Sequence, residues 1–480
     1  MEILYVNNLK NRPWREIISI ILSIIIAFGT FVVLTFGNSK FQDWLGIGGM
    51  LSAYAAEFVD TKGAIAVDKD AMLANDHTIN LINRDGTNTV YVFTEPVAFV
   101  DDNGNLKTKD ITVEKSDKAL KDQGYAYTNG QNDYRINFSE DCSIGVQAVF
   151  DDCSFSIIPQ DSSASVGKEG VAECFGDKFE VFEYQNIYGN DTNLRFNPQL
   201  NGIKDEIVLN HNIHKYEFSF KLKTDNCSAQ LNDNGTVTLL NKNGETVQTF
   251  SAPYAYDSEY NPCNMDNHYI DCVYLLEKAD VNTYILRIDV PKEWLESSNT
   301  VYPVIIDPSV NSAIYKDTSI MSKHATTNYG SSSVLWIGKN STAGTSYALE
   351  KFALPDEILK GEIINSAYLW EYDASMGTGN ANVEAHYVTS SWYENEVTWD
   401  TRPTYDSYSM CTKNISGTYS DKSGQPHWYR FNIPIMQQWS DRTVSNWGVL
   451  FKGDSTMTSN LITRAFASEE FSSSSNRPYA

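Results

Sequence analysis

Basic side chains are in short supply: 37 Lys and Arg stand against 61 Asp and Glu, for a net charge of −24. A field of that sign repels phosphate backbones and anionic lipid, which argues against nucleic acid or a bilayer surface as a partner of the folded part. Helical periodicity is also scarce, and only Ser116–Lys121, Pro291–Leu295 and Ile435–Trp439 read as short helices. Catalytic signatures are missing. There is no H-E-x-x-H, G-x-S-x-G, Walker loop or dinucleotide glycine fingerprint, so the chain is read as non-enzymatic. His211 and His214 are three apart, which in a strand puts them on opposite faces and argues against a metal pair. With 61 acidic residues, carboxylate pairs at glycosidase spacing arise by chance and single out no catalytic pair. Cysteine is sparse and irregular: Cys142, Cys153, Cys174, Cys227, Cys263, Cys272 and Cys411. Their odd number and the lack of C-x-x-C exclude a dense disulfide framework or a zinc ribbon. One or two incidental bridges remain open, with Cys142–Cys153 and Cys263–Cys272 as the candidate pairs.

The long apolar run that is present lies at the N-terminus. Arg12 and Arg15 precede Ile17 to Phe36, an uncharged stretch of about 20 residues, enough to span a bilayer. Basic residues on its N-terminal side orient the remainder of the chain outward. Ala53-Tyr54-Ala55-Ala56 offers a signal peptidase a small-x-small cut after Ala55 or Ala56. Residues 1–56 are therefore an export helix, either a cleaved signal or a retained anchor. They are the chain's one expected link to a membrane, and residues 57–480 are expected outside, secreted or at the cell surface.

From Ala64 onward the pattern is strand after strand. Thr89–Phe93 and Val97–Val100 are β-branched and aromatic runs. Asp101–Asn105, Asn232–Gly235 and Asn241–Gly244 read as hairpin turns, because Asn and Gly tolerate positive φ. None of the three has the twelve-residue spacing of an EF-hand. A boundary is expected near Asp307-Pro308-Ser309, which divides an elongated β region (57–308) from a second β domain (309–480).

The second domain is similar to the DNRLRE family of carbohydrate-binding modules. The residues that carry this likeness are Asp317–Ile320, Asn328–Ser332, Leu335–Gly338, Ala348–Phe352, Ile364–Leu369, Asn446–Phe451 and, above all, Trp392-Tyr393-Glu394-Asn395-Glu396-Val397-Thr398-Trp399-Asp400-Thr401-Arg402-Pro403. The likeness implies a jelly-roll-like β-sandwich with a polysaccharide or cell-wall glycan as partner. Two departures stand out. The chain stops at Arg477-Pro478-Tyr479-Ala480, short of most of the family's last strand, and Glu371 sits where an apolar residue belongs. Residues 57–308 resemble the N-terminal β region of secreted wall-associated and Rhs (YD-repeat) proteins through Tyr184–Tyr188, Asn201–Leu209, Ala252–Tyr254 with Asp257-Ser258, and Tyr284–Trp294 followed by Val301–Pro308. In such proteins long repeats and an effector come after this region, so a structural fragment of a larger toxin-delivery protein is the alternative to a free-standing binding protein. A polysaccharide-degrading enzyme ranks third.

Sugar binding asks for exposed rings, because the C–H faces of a pyranose are apolar. In Ala367–Tyr372 the side chains of Tyr368, Trp370 and Tyr372 share one face, opposite Ala367 and Leu369. The likeness places Ala367 and Leu369 in the core, which leaves the three rings as a platform unless a loop or the first region covers them. Trp336, between core-like Leu335 and Ile337, is a further candidate, and Lys351 could meet an acidic sugar's carboxylate. No cofactor is expected beyond a structural calcium, for which Asp317 is the candidate ligand.

Overall fold

A computed structural model describes residues 59–480 except 175–176, 260–267, 308–315, 353, 355–358, 360, 375–379, 416–427 and 472–475. The export helix and the cleavage residues Ala55 and Ala56 lie outside the described residues. Among the described residues no helix is long and apolar enough to cross a membrane. The architecture is all-β, with antiparallel pairing throughout the sheets and a few one-turn helices.

Three β assemblies succeed one another along the chain. The smallest is a three-stranded sheet (Ala64–Val67, Thr78–Asn83, Asn88–Val92) with a helix at Lys69–Ala74, whose N-cap Asp68 side chain accepts from the Ala71 amide. The hairpin Ala98–Val100/Leu106–Thr108 turns on Asp101–Asn105, with Gly104 at φ 78°. The other two expected turns also close hairpins, between Cys227–Leu231, Val237–Asn241 and Thr246–Phe250. The short helices predicted from sequence form at Lys118–Asp122, Lys292–Leu295 and Met436–Ser440. Helices at Lys69–Ala74 and Ser455–Asn460 carry no apolar stripe and were not legible from periodicity.

The second assembly consists of an eight-stranded and a seven-stranded sheet. Their inner faces meet in one aromatic core that includes Phe138, Phe155, Phe182, Phe196 and Phe218, joined by Phe250 of the three-stranded hairpin sheet. Phe138 and Phe182, one from each sheet, lie 4.9 Å apart between ring centroids. The elongated region expected from sequence is thus a two-layer sandwich, because alternating strands such as Thr283–Asp289 each have an apolar face to bury. On the face of the seven-stranded sheet opposite this core, Lys204 Nζ lies 2.6 Å from Asp307 Oδ2 and 3.7 Å from Glu206, and the Tyr254 hydroxyl donates to the same Asp307 oxygen. This buried network ties strands Gly202–Leu209, Tyr254–Asp257 and Val304–Asp307. Cys142 and Cys153, one of the candidate disulfide pairs, are both free thiols, directed at the Ser163 and Asn226 carbonyls. Cys272 is also free, and Cys263 lies outside the described residues.

The third assembly begins at Lys316. Its main sheet runs in the order Cys411–Ile415, Ala381–Tyr387, Val449–Gly453, Gly344–Lys351, Val334–Asn340, Thr463–Ala467, with Lys316–Met321 pairing Gly344–Lys351. Strands Tyr368–Tyr372 and Trp428–Asn432 pair with each other and bring Leu369 and Phe431 onto a core shared with Leu335, Ile337, Val383, Phe451 and Phe466. The last residues join this assembly to the first. Tyr479 bridges Phe93 on one side and Trp370 on the other, and Ala480 exchanges two backbone hydrogen bonds with Val92. Beside them Arg477, 5% exposed, meets Glu95 at 2.5 Å and donates to Gln199 Oε1 and the Phe471 carbonyl.

Candidate carbohydrate-binding site

The pairing of Lys316–Met321 with Gly344–Lys351 gives each face of the strand pair a distinct chemistry. Lys316 stands opposite Lys351, and Asp317 opposite Glu350. Since side chains alternate, the two lysines share a face with Ile320 and Leu349, and the two carboxylates point to the other.

On the lysine face, Lys351 Nζ lies 5.1 Å from the Trp447 ring centroid, and Lys316 Nζ lies 5.9 Å from that of Tyr393. Trp447 is half-buried and is held by its carbonyl, which accepts from Trp392 Nε1 at 2.8 Å. Tyr393 is 62% exposed. Burial, with the neighbouring Lys316 charge second, holds the Lys351 ammonium below its usual range. The same face continues through Tyr347 to Trp399, 5.0 Å away, over which the Arg402 guanidinium sits at 4.7 Å. On a strongly acidic protein this is a local basic surface floored with rings.

The aromatic stripe has a different setting. Tyr372 and Trp336 are each 3% exposed and pack together with Met321, Val334 and Phe471. Trp370 stacks on Tyr479 with ring centroids 5.8 Å apart and planes 5° off parallel, against the core that includes Phe93. Tyr368 is half-buried beneath Arg430, whose guanidinium carbon lies 4.1 Å from the ring centroid. Period two correctly places the three rings on one face. That face is covered by the first β assembly and by the chain's own last residues, so Trp336, Trp370 and Tyr372 present no open platform. Of the residues singled out from sequence, Lys351 alone lies on the exposed ring-lined surface. Lys316, Tyr393 and Trp447 were missed, because cross-strand register decides which rings meet which lysines. The adjacency of Lys316 to Asp317, and of Tyr393 to Glu394 in the best-matching motif, was the available signal.

The carboxylate face lies inside. Asp317, Glu350 and Glu371 are each 1% exposed or less, and Glu469 is 5% exposed. Glu394 and Glu470 complete the group. Glu371, the residue out of place in an apolar strand, belongs here. Burial and then the charge of the neighbouring Glu350 push its carboxyl well above the usual range. These acids are the residues of this domain that could hold a cation.

Residues 308–479 match the model of carbohydrate-binding module family 96. Among curated proteins the chain is similar to the tRNA nuclease WapA of Bacillus subtilis (strain 168), 29% identical over 301 residues. It is likewise similar to the tRNA3(Ser)-specific nuclease WapA of Bacillus spizizenii, 28% identical over 311 residues. Each alignment takes in 60% of this chain and 12% of the relative, so the chain spans about an eighth of the length of the curated relatives it matches.

Proposed function

We propose that this chain is an extracellular, non-catalytic protein whose C-terminal sandwich binds a carboxylate-bearing polysaccharide at Lys316, Lys351, Tyr393 and Trp447. One observation carries the reading: two lysines face each other across a strand pair, each over an aromatic ring, in the part of the chain that matches a carbohydrate-binding module. Like charges directly opposite are destabilising. A uronate carboxylate between them removes that cost, while its ring stacks its C–H face on Trp447 or Tyr393. The extracellular placing rests on the module match and on the apolar run after Arg15.

Affinity electrophoresis of the full chain through gels cast with a polyuronate or a neutral glucan tests this. Retardation is expected in the polyuronate and should fall with added salt. The double variant Lys316→Ala/Lys351→Ala should lose tenfold or more in affinity. Retardation of that variant equal to wild type would remove the site, and no retardation by any polysaccharide would remove the function.

The short share of the relatives supports a second reading, in which this sequence is one portion of a longer surface protein and serves as its structural front. The relatives are named as nucleases, and we place no such action in this portion. Transfer RNA incubated with the purified chain is expected to stay intact; cleavage co-purifying with the protein would count against both readings.

A further inference from the structure

We infer that Asp317, Glu394, Glu469 and Glu470 form a calcium site that clasps the sandwich shut. Glu394, Glu469 and Glu470 each offer a carboxylate oxygen, and the three oxygens lie within 4.8 Å of one another. Asp317 stands between them: its amide donates to Glu394 Oε1 at 2.9 Å, and its Oδ2 accepts from the Glu469 amide at 2.8 Å. A backbone that donates into the acids fixes the geometry of the cluster without neutralising it.

What points to a ligand is the set of oxygens left over. Asp317 is 1% exposed, and its Oδ1 has no hydrogen-bond partner. Glu469 Oε2 and Glu470 Oε2 are buried and equally unpartnered. A buried carboxylate oxygen with nothing to accept from costs on the order of 1–3 kcal/mol or more. Several in one place are not retained by a core that could have been apolar at no such cost. In agreement with this crowding, burial and then Glu470, Glu350 and Glu394 hold the Asp317 carboxyl well above its usual range. Glu350 and Glu371 lie behind the four and add to the negative field.

The donor set selects the ion. All four side chains are carboxylates, with no His or Cys, which disfavours zinc and copper and favours a hard cation. Calcium accepts six to eight oxygens in irregular arrangements and sheds its water readily. Magnesium demands near-octahedral geometry, keeps its water, and is seldom bound in an all-protein cage. Bound calcium would join strand Lys316–Met321, the segment carrying Tyr393-Glu394, and the segment after strand Thr463–Ala467, three parts far apart in sequence. Two of the ligands adjoin the ring-and-lysine surface in the chain, Asp317 after Lys316 and Glu394 after Tyr393. The inference does not depend on what that surface binds.

The test uses the full chain, freed of metal by chelation and dialysis. Titration calorimetry with calcium chloride should show one equivalent bound, and thermal unfolding should rise by at least ~5 °C at saturating calcium. Magnesium at the same concentration should give less than half that shift. Glu469→Gln/Glu470→Gln should abolish both signals. Because that pair is largely buried, the half-exposed Glu394→Gln serves as the milder variant. It should keep the circular dichroism of the wild type and weaken calcium binding tenfold or more. Absence of stoichiometric calcium binding by the folded wild-type chain would overturn the site. Unchanged affinity in folded Glu394→Gln would also overturn it, and a magnesium shift as large as that of calcium would overturn the choice of ion.

Discussion

Replacing Arg477 by methionine is expected to destabilise the protein by about 3–5 kcal/mol, the cost of leaving a buried carboxylate without its cation. The carboxylate is that of Glu95, 2% exposed and 2.5 Å from the guanidinium. The same arginine donates to Gln199 and to the Phe471 carbonyl, so its loss also removes these two buried hydrogen bonds. The three groups it joins come from the first, second and third assemblies. The variant should therefore loosen the junction before any single core fails. Limited proteolysis should open new cuts near residues 93–97 and 471–480, and the urea midpoint should fall. The double variant Arg477→Met/Glu95→Leu removes both charges and is expected to recover more than half of the lost stability. A double variant no better than the single one would show that packing of the arginine stem, and not charge compensation, holds the junction.

The second large effect is a pH dependence set by Asp205. This residue is 3% exposed within strand Gly202–Leu209, and its Oδ1 has no hydrogen-bond partner. Burial first, and the Asp307 charge second, push its carboxyl well above the usual range, with Glu206 adding to the rise and Lys204 opposing it. Tyr188 and Tyr274, near enough for Asp205 to raise their own hydroxyl values, contribute no positive charge. The folded protein thus keeps the Asp205 proton at a pH where the unfolded chain, with a carboxyl near ~3.9, has lost it. In that window the folded state binds more protons, so stability falls as pH rises, by about 1.4 kcal/mol per pH unit from this group alone. Asp205→Asn keeps the shape of the side chain and removes the titration. Its stability relative to wild type should therefore grow as pH rises above about 4.5 in paired urea unfolding curves. A constant difference across that range would mean that Asp205 is ionised inside the fold.

The all-β class was legible because β-branched and aromatic runs repeat between Asn-Gly turns whose φ requirements leave few alternatives. Gly104, Gly235 and Gly244 all adopt positive φ in hairpin turns. The face shared by Tyr368, Trp370 and Tyr372 could likewise be read from period two. Its cover could not. Tyr479 meets Trp370 from 109 residues after it and stacks in turn on Phe93, 277 residues before Trp370, and no local pattern announces such contacts. The cysteines illustrate the same limit, since closeness in sequence between Cys142 and Cys153 says nothing about where each thiol points. Glu371 was the most informative anomaly. A carboxylate in an apolar strand marked a buried acidic group whose other members, Glu394, Glu469 and Glu470, were scattered over the domain among many solvent-exposed acids.

The register of Lys316–Met321 against Gly344–Lys351 has a consequence for how this domain can change over generations. A single-residue insertion within either strand would turn that strand's lysine toward the carboxylates' side and its carboxylate toward the lysines' side. The outer surface and the inner cluster would be lost in the same event. Substitutions at positions 316, 317, 350 and 351 can therefore be accepted one at a time, but length changes across the pair cannot. Relatives that keep the sandwich should vary in the loops on either side of these strands and stay gapless along them.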